Sequence, residues 1–173
     1  MSVRAAHPAE AAEIARVHVA SFRSAHRSML PDEFLDALSV ESREEMWRRM
    51  LTERAETHFL FVALDGEQII GFAAGGPHTG DQPGNPSSGY AGKIYTIYLL
   101  PEAQGLGAGR ELLERILAEF RSREQSPVFL WVLKENMQAR GFYEHMGGEL
   151  VEEKQEEFAG QPTTQVAYAW FNE

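Results

Sequence analysis

The stretch Pro101–Leu112, "PEAQGLGAGREL", places Gly105, Gly107 and Gly109 at alternate positions directly before an amphipathic run. A helix begins with unpaired N–H groups and a partial positive charge, and glycines in front of it leave that backbone open to an anion. The run "KIYTIYLL", rich in β-branched and aromatic residues, comes before the stretch and is typical of a strand. The order of strand, glycine loop and helix therefore predicts a phosphate or pyrophosphate site.

The stretch can be compared with three known patterns of glycine loop. The P-loop pattern GxxxxGK[ST] does not occur in the chain. Gly105 and Gly107 fit the dinucleotide pattern GxGxxG, but Arg110 stands where its third glycine would be. The pattern Gln-x-x-Gly-x-Gly is met in full by Gln104, Gly107 and Gly109.

Strand patterns surround the glycine loop on both sides. "HFLFVAL" and "EQIIGFAAGG" are joined by Asp65-Gly66, a strong hairpin signal. "PVFLWVL" is apolar on both faces, as expected of a central strand. "ELVEEKQEEF" and "TTQVAYAWF" predict two more strands at the end of the chain. The Gly-, Pro- and Ser-rich segment 75–92 is predicted to be a long loop between strands.

Helical patterns complete the predicted architecture. Amphipathic helices are expected after Pro8 and near Pro31, and a third over "ESREEMWRRMLTE", where Ser42 and Glu45 match a capping box. Residues 1–173 are therefore predicted to form one α/β (α+β) domain, with a mixed sheet of about six to seven strands flanked by helices.

Composition excludes several classes of function. The formal net charge of −10 argues against a nucleic-acid partner. The absence of cysteine excludes disulfides, thiolate metal sites and a cysteine nucleophile. The six histidines are scattered without an HExxH motif, so no metal site is expected. No apolar run is long enough for a membrane span and the N-terminal segment lacks a secretory signal, which makes the cytoplasm the expected location.

A second motif follows the central strand as "NMQARGFYEHMGG", beginning at Asn136 and including Tyr143. Together with the Gln-x-x-Gly-x-Gly loop, it resembles the GNAT acetyltransferase superfamily, and the resemblance runs from the first helix to the final strands. It implies that the loop binds the pyrophosphate of acetyl-CoA, that Asn136 contacts this cofactor and that Tyr143 stands beside its thiol. The residues that the resemblance brings to acetyl-CoA are Tyr98, Leu99, Leu100, Gln104, Gly105, Leu106, Gly107, Ala108, Gly109, Arg110, Asn136 and Tyr143.

Acetyl transfer from a thioester to an amine needs particular groups. The resemblance implies that a backbone N–H, expected at Leu99, stabilises the charge on the thioester oxygen. A thiol has a pKa of about 8.5 and a tyrosine of about 10, so Tyr143 can protonate the departing thiolate at little cost. An alkylammonium with a pKa of about 10.4 must lose a proton, which at pH 7 corresponds to roughly 4–5 kcal/mol.

The base for that last step is an open question. Many members of the superfamily carry a glutamate eleven residues before the motif glutamine, and Lys93 stands at that position here. An ammonium group cannot accept a proton. A base could come from Glu33, Glu41 or His26, a water chain could carry the proton, or the acceptor could be less basic. Lys93 could instead bind a carboxylate of the substrate, or simply point to solvent.

The resemblance also implies an acceptor pocket bounded by the first two helices and the strand before the glycine loop. Its expected walls are Phe22, His26, Trp47, Lys93 and Tyr95, together with the segment 75–92.

The predicted function is an acetyl-CoA-dependent N-acetyltransferase that moves the acetyl group directly to a primary amine of a small molecule or peptide. The alternative is a GNAT-like module that binds an acyl-CoA as a sensor or interaction partner without turnover. Lys93 favours the alternative, whereas Tyr143 and Asn136 favour the enzyme. A homodimer is expected by analogy with the superfamily.

Overall fold

A computed structural model describes residues 1–78 and 89–171. The strands are β1 (Ser2–Ala5), β2 (Phe59–Asp65), β3 (Gln68–Pro77), β4 (Gly92–Leu99), β5 (Val128–Leu133), β6 (Glu149–Phe158) and β7 (Gln161–Trp170). The helices are α1 (Ala11–His26), α2 (Asp32–Asp36), α3 (Val40–Glu53), α4 (Ala108–Ser122) and α5 (Met137–His145), with short 3₁₀ turns at Pro8–Glu10 and Pro101–Ala103. Among these described helices, none has the length and apolar character needed to cross a membrane.

All seven strands belong to one mixed sheet in the order β1-β2-β3-β4-β5-β7-β6. Every neighbouring pair is antiparallel except β4 and β5, which are parallel. This confirms the predicted fold class, including the hairpin at Asp65-Gly66, where Gly66 has a φ of 61°. β1 was not predicted, since its four residues are too few to show an alternating pattern.

The parallel pair β4–β5 is the irregular part of the sheet. The two strands pair only at Gly92 with Val128 and at Lys93 with Phe129, and beyond this point they diverge. The register of β4 against β3 also shifts, because Ala74 lies opposite Thr96 and Gly75 opposite Ile94. Tyr95 is therefore the extra residue of a β-bulge, which bends the strand. The divergence opens a wedge in the middle of the sheet.

Helices cover both faces of the sheet. On one face, α4 packs its apolar side, including Leu112, Ile116 and Phe120, against β1, β2, β3 and β4. On the other face, α1 and α3 bury Ile14 and Trp47 in a second core cluster. Because both faces are covered, the central strands are apolar on both sides, as the sequence predicted for β5.

Two helix starts show how well the capping signals predicted the structure. Pro8 begins a 3₁₀ turn that leads into α1, as expected of proline at the first position. The predicted capping box at Ser42 is wrong: α3 begins at Val40, and the cap is Ser39, whose hydroxyl accepts the N–H of Ser42 over 3.1 Å. The Ser-x-x-Glu pattern therefore placed the start of α3 three residues too far along the chain.

Candidate active site

The wedge between β4 and β5 contains a cavity of about 930 Å³. Its walls come from β4 and β5, the end of α1, the glycine loop and α5. Twelve of the predicted site residues lie along this cavity: Phe22, His26, Tyr95, Tyr98, Leu99, Gln104, Gly105, Gly107, Gly109, Arg110, Asn136 and Tyr143. The two sequence motifs and the end of the first helix, although distant in the chain, thus meet at one site.

The glycine loop provides open backbone at the start of α4. Gly105 and Gly107 have φ angles of 76° and 91°, a region that side chains disfavour, and a Cβ at either residue would meet no atom within 4 Å. Gly107 is the N-cap and offers no side chain, so the first N–H groups of the helix have no acceptor from a cap or from the helix itself. Such a helix start suits a phosphate or pyrophosphate group.

Side chains around the loop link it to α5. Gln104 accepts a hydrogen bond from Nε2 of Gln138 over 2.8 Å. Arg110 is exposed and pairs with Glu114 on the same helix over 2.8 Å. The side chains of the remaining loop residues differ, since Leu106 is exposed and Ala108 fully buried.

Asn136 begins the second motif as the N-cap of α5. Its Oδ1 accepts the N–H of Ala139 over 3.2 Å, and the residue also lines the cavity. Capping thus explains why an asparagine stands at this helix start.

Tyr143 lies two residues before the end of α5 and is only 7% exposed. Its ring packs against those of Tyr168 and Trp170, with centroids 5.9 and 6.0 Å away. Burial raises the pKa of the Tyr143 phenol well above its usual range, and Tyr98 adds to the effect. The hydroxyl therefore keeps its proton at neutral pH, as a proton donor must.

The backbone at the end of β4 also faces the wedge. Leu100 donates its N–H to the carbonyl of Ile70 on β3 over 2.9 Å. Because successive N–H groups of a strand point to opposite edges, the N–H of Leu99 points toward the diverging β5. Leu100 itself is half-buried and packs against both core clusters.

Tyr98 rests on a buried polar pair that the sequence reading missed. Its ring stacks on that of His18 with centroids 5.5 Å apart, and Nδ1 of His18 accepts the indole N–H of Trp47 over 3.1 Å. His18 follows the buried Ile14 by four residues, and that helical spacing could have identified it as a core residue. Trp47 itself is 1% exposed and packs on His18 and Phe72, so the expectation that it forms a wall of the acceptor pocket is corrected.

Phe22, His26 and Tyr95 lie at the α1 end of the cavity, together with Trp131 and Phe158, which the sequence reading did not single out. Trp131 and Phe158 come from β5 and β6, and the ring of Phe158 lies 5.6 Å from that of Phe34 on α2, so distant parts of the chain meet here. The predicted wall at 75–92 lies partly outside the described residues, since positions 79–88 are not described.

Lys93 is half-buried at the closed end of the wedge, where β4 and β5 still pair. Its Nζ lies 6.0 Å from the ring centroid of Tyr95 and 5.9 Å from that of Phe129. Burial lowers the pKa of the Lys93 ammonium, and the charge of Lys154 lowers it further, while Glu156 opposes the shift. The Lys93 side chain thus packs against aromatic rings rather than extending into solvent.

Comparisons with known proteins agree with this geometry. The model of the acetyltransferase (GNAT) family matches residues 19–148. The uncharacterized N-acetyltransferase YuaI of Bacillus subtilis (strain 168) is 33% identical over 171 residues, which cover 98% of this chain and 92% of that protein.

Solved structures share the fold at lower sequence identity. The paia N-acetyltransferase of Thermoplasma acidophilum, in complex with coenzyme A, has a TM-score of 0.70 and 16% identity over 96% of this chain and 98% of its own. The yncA structure from Salmonella typhimurium, with its cofactor acetyl-CoA, has a TM-score of 0.69 and 17% identity over 98% of this chain and 92% of its own.

Proposed function

We propose a specific reaction for this chain, which belongs to the acetyltransferase (GNAT) family: direct transfer of an acetyl group to a primary amine of a small molecule or peptide. The chain is an N-acetyltransferase, and its acetyl donor is acetyl-CoA. The observation that carries the proposal is the wedge, because one cavity joins the open helix start, the N–H of Leu99, the phenol of Tyr143 and an aromatic end formed by α1.

The residues at the glycine loop fit the pyrophosphate of the donor. The uncapped N–H groups from Leu106 to Arg110 would bind its oxygens, and the guanidinium of Arg110 would add a positive charge. Asn136 lines the same cavity and would contact the same molecule. When bound, acetyl-CoA supplies an activated thioester.

Leu99 and Tyr143 have separate roles in the proposed reaction. The N–H of Leu99 stabilises the negative charge that develops on the thioester oxygen, a contact that strengthens as the reaction proceeds. The protonated phenol of Tyr143 gives its proton to the departing sulfur. No acyl-enzyme forms in this scheme, and a cysteine nucleophile is excluded because the chain has no cysteine.

The α1 end of the cavity is proposed to hold the acceptor. Phe22, Tyr95, Trp131 and Phe158 form its walls, and no Asp or Glu lines the described part of the cavity. These walls favour an amine with an apolar or aromatic body, since a highly charged acceptor would find no carboxylate to pair with. The acidic net charge of the whole chain is therefore not concentrated at this site.

Thiol release from acetyl-CoA in the presence of pooled primary amines tests the proposal. A thiol-reactive dye gives no background from the protein, because the chain contains no cysteine. Thiol formed above the control without amine supports direct transfer, and division of the pool then identifies the acceptor. Retained acetyl-CoA binding without thiol release from any amine would contradict the proposed acceptor class.

Cytoplasmic location and assembly as a homodimer remain predictions. One sheet containing all seven strands supports the predicted single domain.

A further inference from the structure

The proposed reaction needs a group that deprotonates the acceptor, and the described part of the cavity offers no carboxylate. Glu33 and Glu41, two of the candidates from the sequence, are exposed and lie outside the cavity lining. Besides the tyrosines and Arg110, the titratable side chains along the described lining are His26 and His145. His145 is exposed at the end of α5, the helix that carries Tyr143, whereas His26 lies on α1 among the aromatic walls.

The hydrogen bond of His26 fixes its tautomer. The residue is 7% exposed at the end of α1, and its Nδ1 lies 2.9 Å from the carbonyl oxygen of Phe22. A carbonyl oxygen only accepts, so Nδ1 carries the proton and donates it. In the neutral ring, Nε2 is then left with a free lone pair. This is the nitrogen through which the imidazole can accept a proton.

Aromatic neighbours hold the imidazole in place. The ring of Phe22 lies 4.2 Å from that of His26, and the ring of Tyr98 lies edge-on at 6.4 Å. Tyr98 also lines the cavity and lies close enough to Tyr143 to raise the pKa of that phenol. Tyr98 thus connects the imidazole at the acceptor end with the phenol at the cofactor end.

The surroundings of His26 favour the neutral ring at pH 7. Burial lowers the pKa of the imidazole, and this outweighs the hydrogen bond to Phe22, which raises it. The titratable group facing it from β4 is Tyr98. Arg23, one turn earlier on the same helix, donates to the carbonyls of Leu35, Asp36 and Leu38. Arg27, which follows the helix, is exposed and paired with Asp32 and Asp36.

We propose that Nε2 of His26 is the general base that deprotonates the ammonium group of the acceptor. The inference rests on the proposed function. It assigns to His26 the deprotonation that an ammonium group at Lys93 cannot perform. The acceptor ammonium loses one proton to Nε2, and the imidazolium passes it to water. The nitrogen then forms the C–N bond while the C–S bond breaks and Tyr143 protonates the sulfur. The nitrogen loses its second proton to the tyrosinate through water, so one proton is released overall.

The test compares two amines of nearly the same shape. In 2-phenylethylamine the nitrogen is protonated at pH 7 and needs a base, whereas in O-benzylhydroxylamine, with oxygen in place of one CH₂, it is already neutral. General-base catalysis contributes typically 10²–10⁴-fold. We expect His26→Gln to lower kcat/KM at least about 100-fold with 2-phenylethylamine and less than about threefold with O-benzylhydroxylamine.

His7→Gln is the matched control, because His7 is exposed and outside the cavity lining, and it should leave both rates unchanged. Calorimetric binding of acetyl-CoA should be the same in both variants. Equal losses on the two amines would give His26 a structural role and overturn the assignment, as would an unchanged rate with 2-phenylethylamine. If the unaltered chain transfers to neither amine, the proposed function fails for this acceptor class, and the assignment of His26 fails with it.

Discussion

Tyr143 illustrates how burial prepares a single side chain for proton donation. Its phenol stays protonated because burial raises its pKa. Tyr143→Phe keeps the ring packing against Tyr168 and Trp170 and removes only the hydroxyl. We expect kcat to fall well over tenfold while calorimetric binding of acetyl-CoA is retained.

Tyr90→Phe provides the control for this substitution, since Tyr90 packs on Phe129 and Phe171 outside the cavity lining. It should leave kcat unchanged. If Tyr143→Phe behaved in the same way, Tyr143 would have no part in the mechanism.

The indole of Trp47 supports the site from the core rather than from the cavity. Its N–H is bound to Nδ1 of His18, and both side chains are buried. Trp47→Phe would leave that nitrogen without a partner in the core, so the free energy of unfolding should fall by at least about 1–3 kcal/mol.

Urea denaturation measures this loss, and Trp170→Phe is the comparison. The indole N–H of Trp170 donates to the carbonyl of Met146 at a half-buried position, where water can replace it. We expect Trp170→Phe to lower the free energy of unfolding less than Trp47→Phe does. A larger loss from Trp170→Phe would argue against the importance of the His18–Trp47 hydrogen bond.

At the scale of one element, the proposed pyrophosphate site in the loop between β4 and α4 depends on the backbone angles of its glycines. Gly107 has a φ of 91°, where an L-residue costs roughly 1–2 kcal/mol. Gly107→Ala should therefore relieve this strain by shifting the loop, which displaces its N–H groups. Calorimetry should then show weaker binding of acetyl-CoA.

Gly141 gives the matched control for this change, because it lies within α5 and a Cβ there would meet no atom within 4 Å. Gly141→Ala should raise the free energy of unfolding by about 0.5–1 kcal/mol and leave the affinity for acetyl-CoA unchanged. If the two variants bound acetyl-CoA equally well, the glycine loop would not be the pyrophosphate site.

Local sequence signals predicted those elements whose structure is set by neighbouring residues. Asp65-Gly66 correctly predicted the hairpin, and the glycine loop correctly predicted the start of α4. Each of these features depends on a few consecutive backbone angles. The bulge at Tyr95 and the hydrogen bond between Trp47 and His18 were not predicted. Both depend on residues far apart in the sequence, which single-segment patterns do not record.

At the scale of the whole molecule, the wedge depends on contacts between distant parts of the chain. Nε2 of Gln161 at the start of β7 donates to the carbonyl of Met29 after α1 over 3.0 Å. The rings of Phe34 on α2 and Phe158 on β6 approach to 5.6 Å. The β6–β7 hairpin is thereby held against the helical segment, so the acceptor end of the cavity is formed by the first and last parts of the chain together.

The stability of the molecule should also depend on pH through its buried imidazole. Burial lowers the pKa of His18 from 6.5 to about 4, and Arg43 contributes to the shift. Between these values the unfolded chain binds a proton that the folded chain does not, so stability is complete above pH 6.5 and is lost as the pH falls toward 4. From pH 7.5 to 5.5, His18 alone should lower the free energy of unfolding by about 1.3 kcal/mol.

The lowered pKa of His26 acts in the same direction, so the measured loss should exceed that of His18 alone. Urea denaturation at the two pH values measures it, and the NMR titration of the His18 ring shows whether that side chain is responsible. A His18 signal that titrates near 6.5 in the folded protein would contradict this explanation.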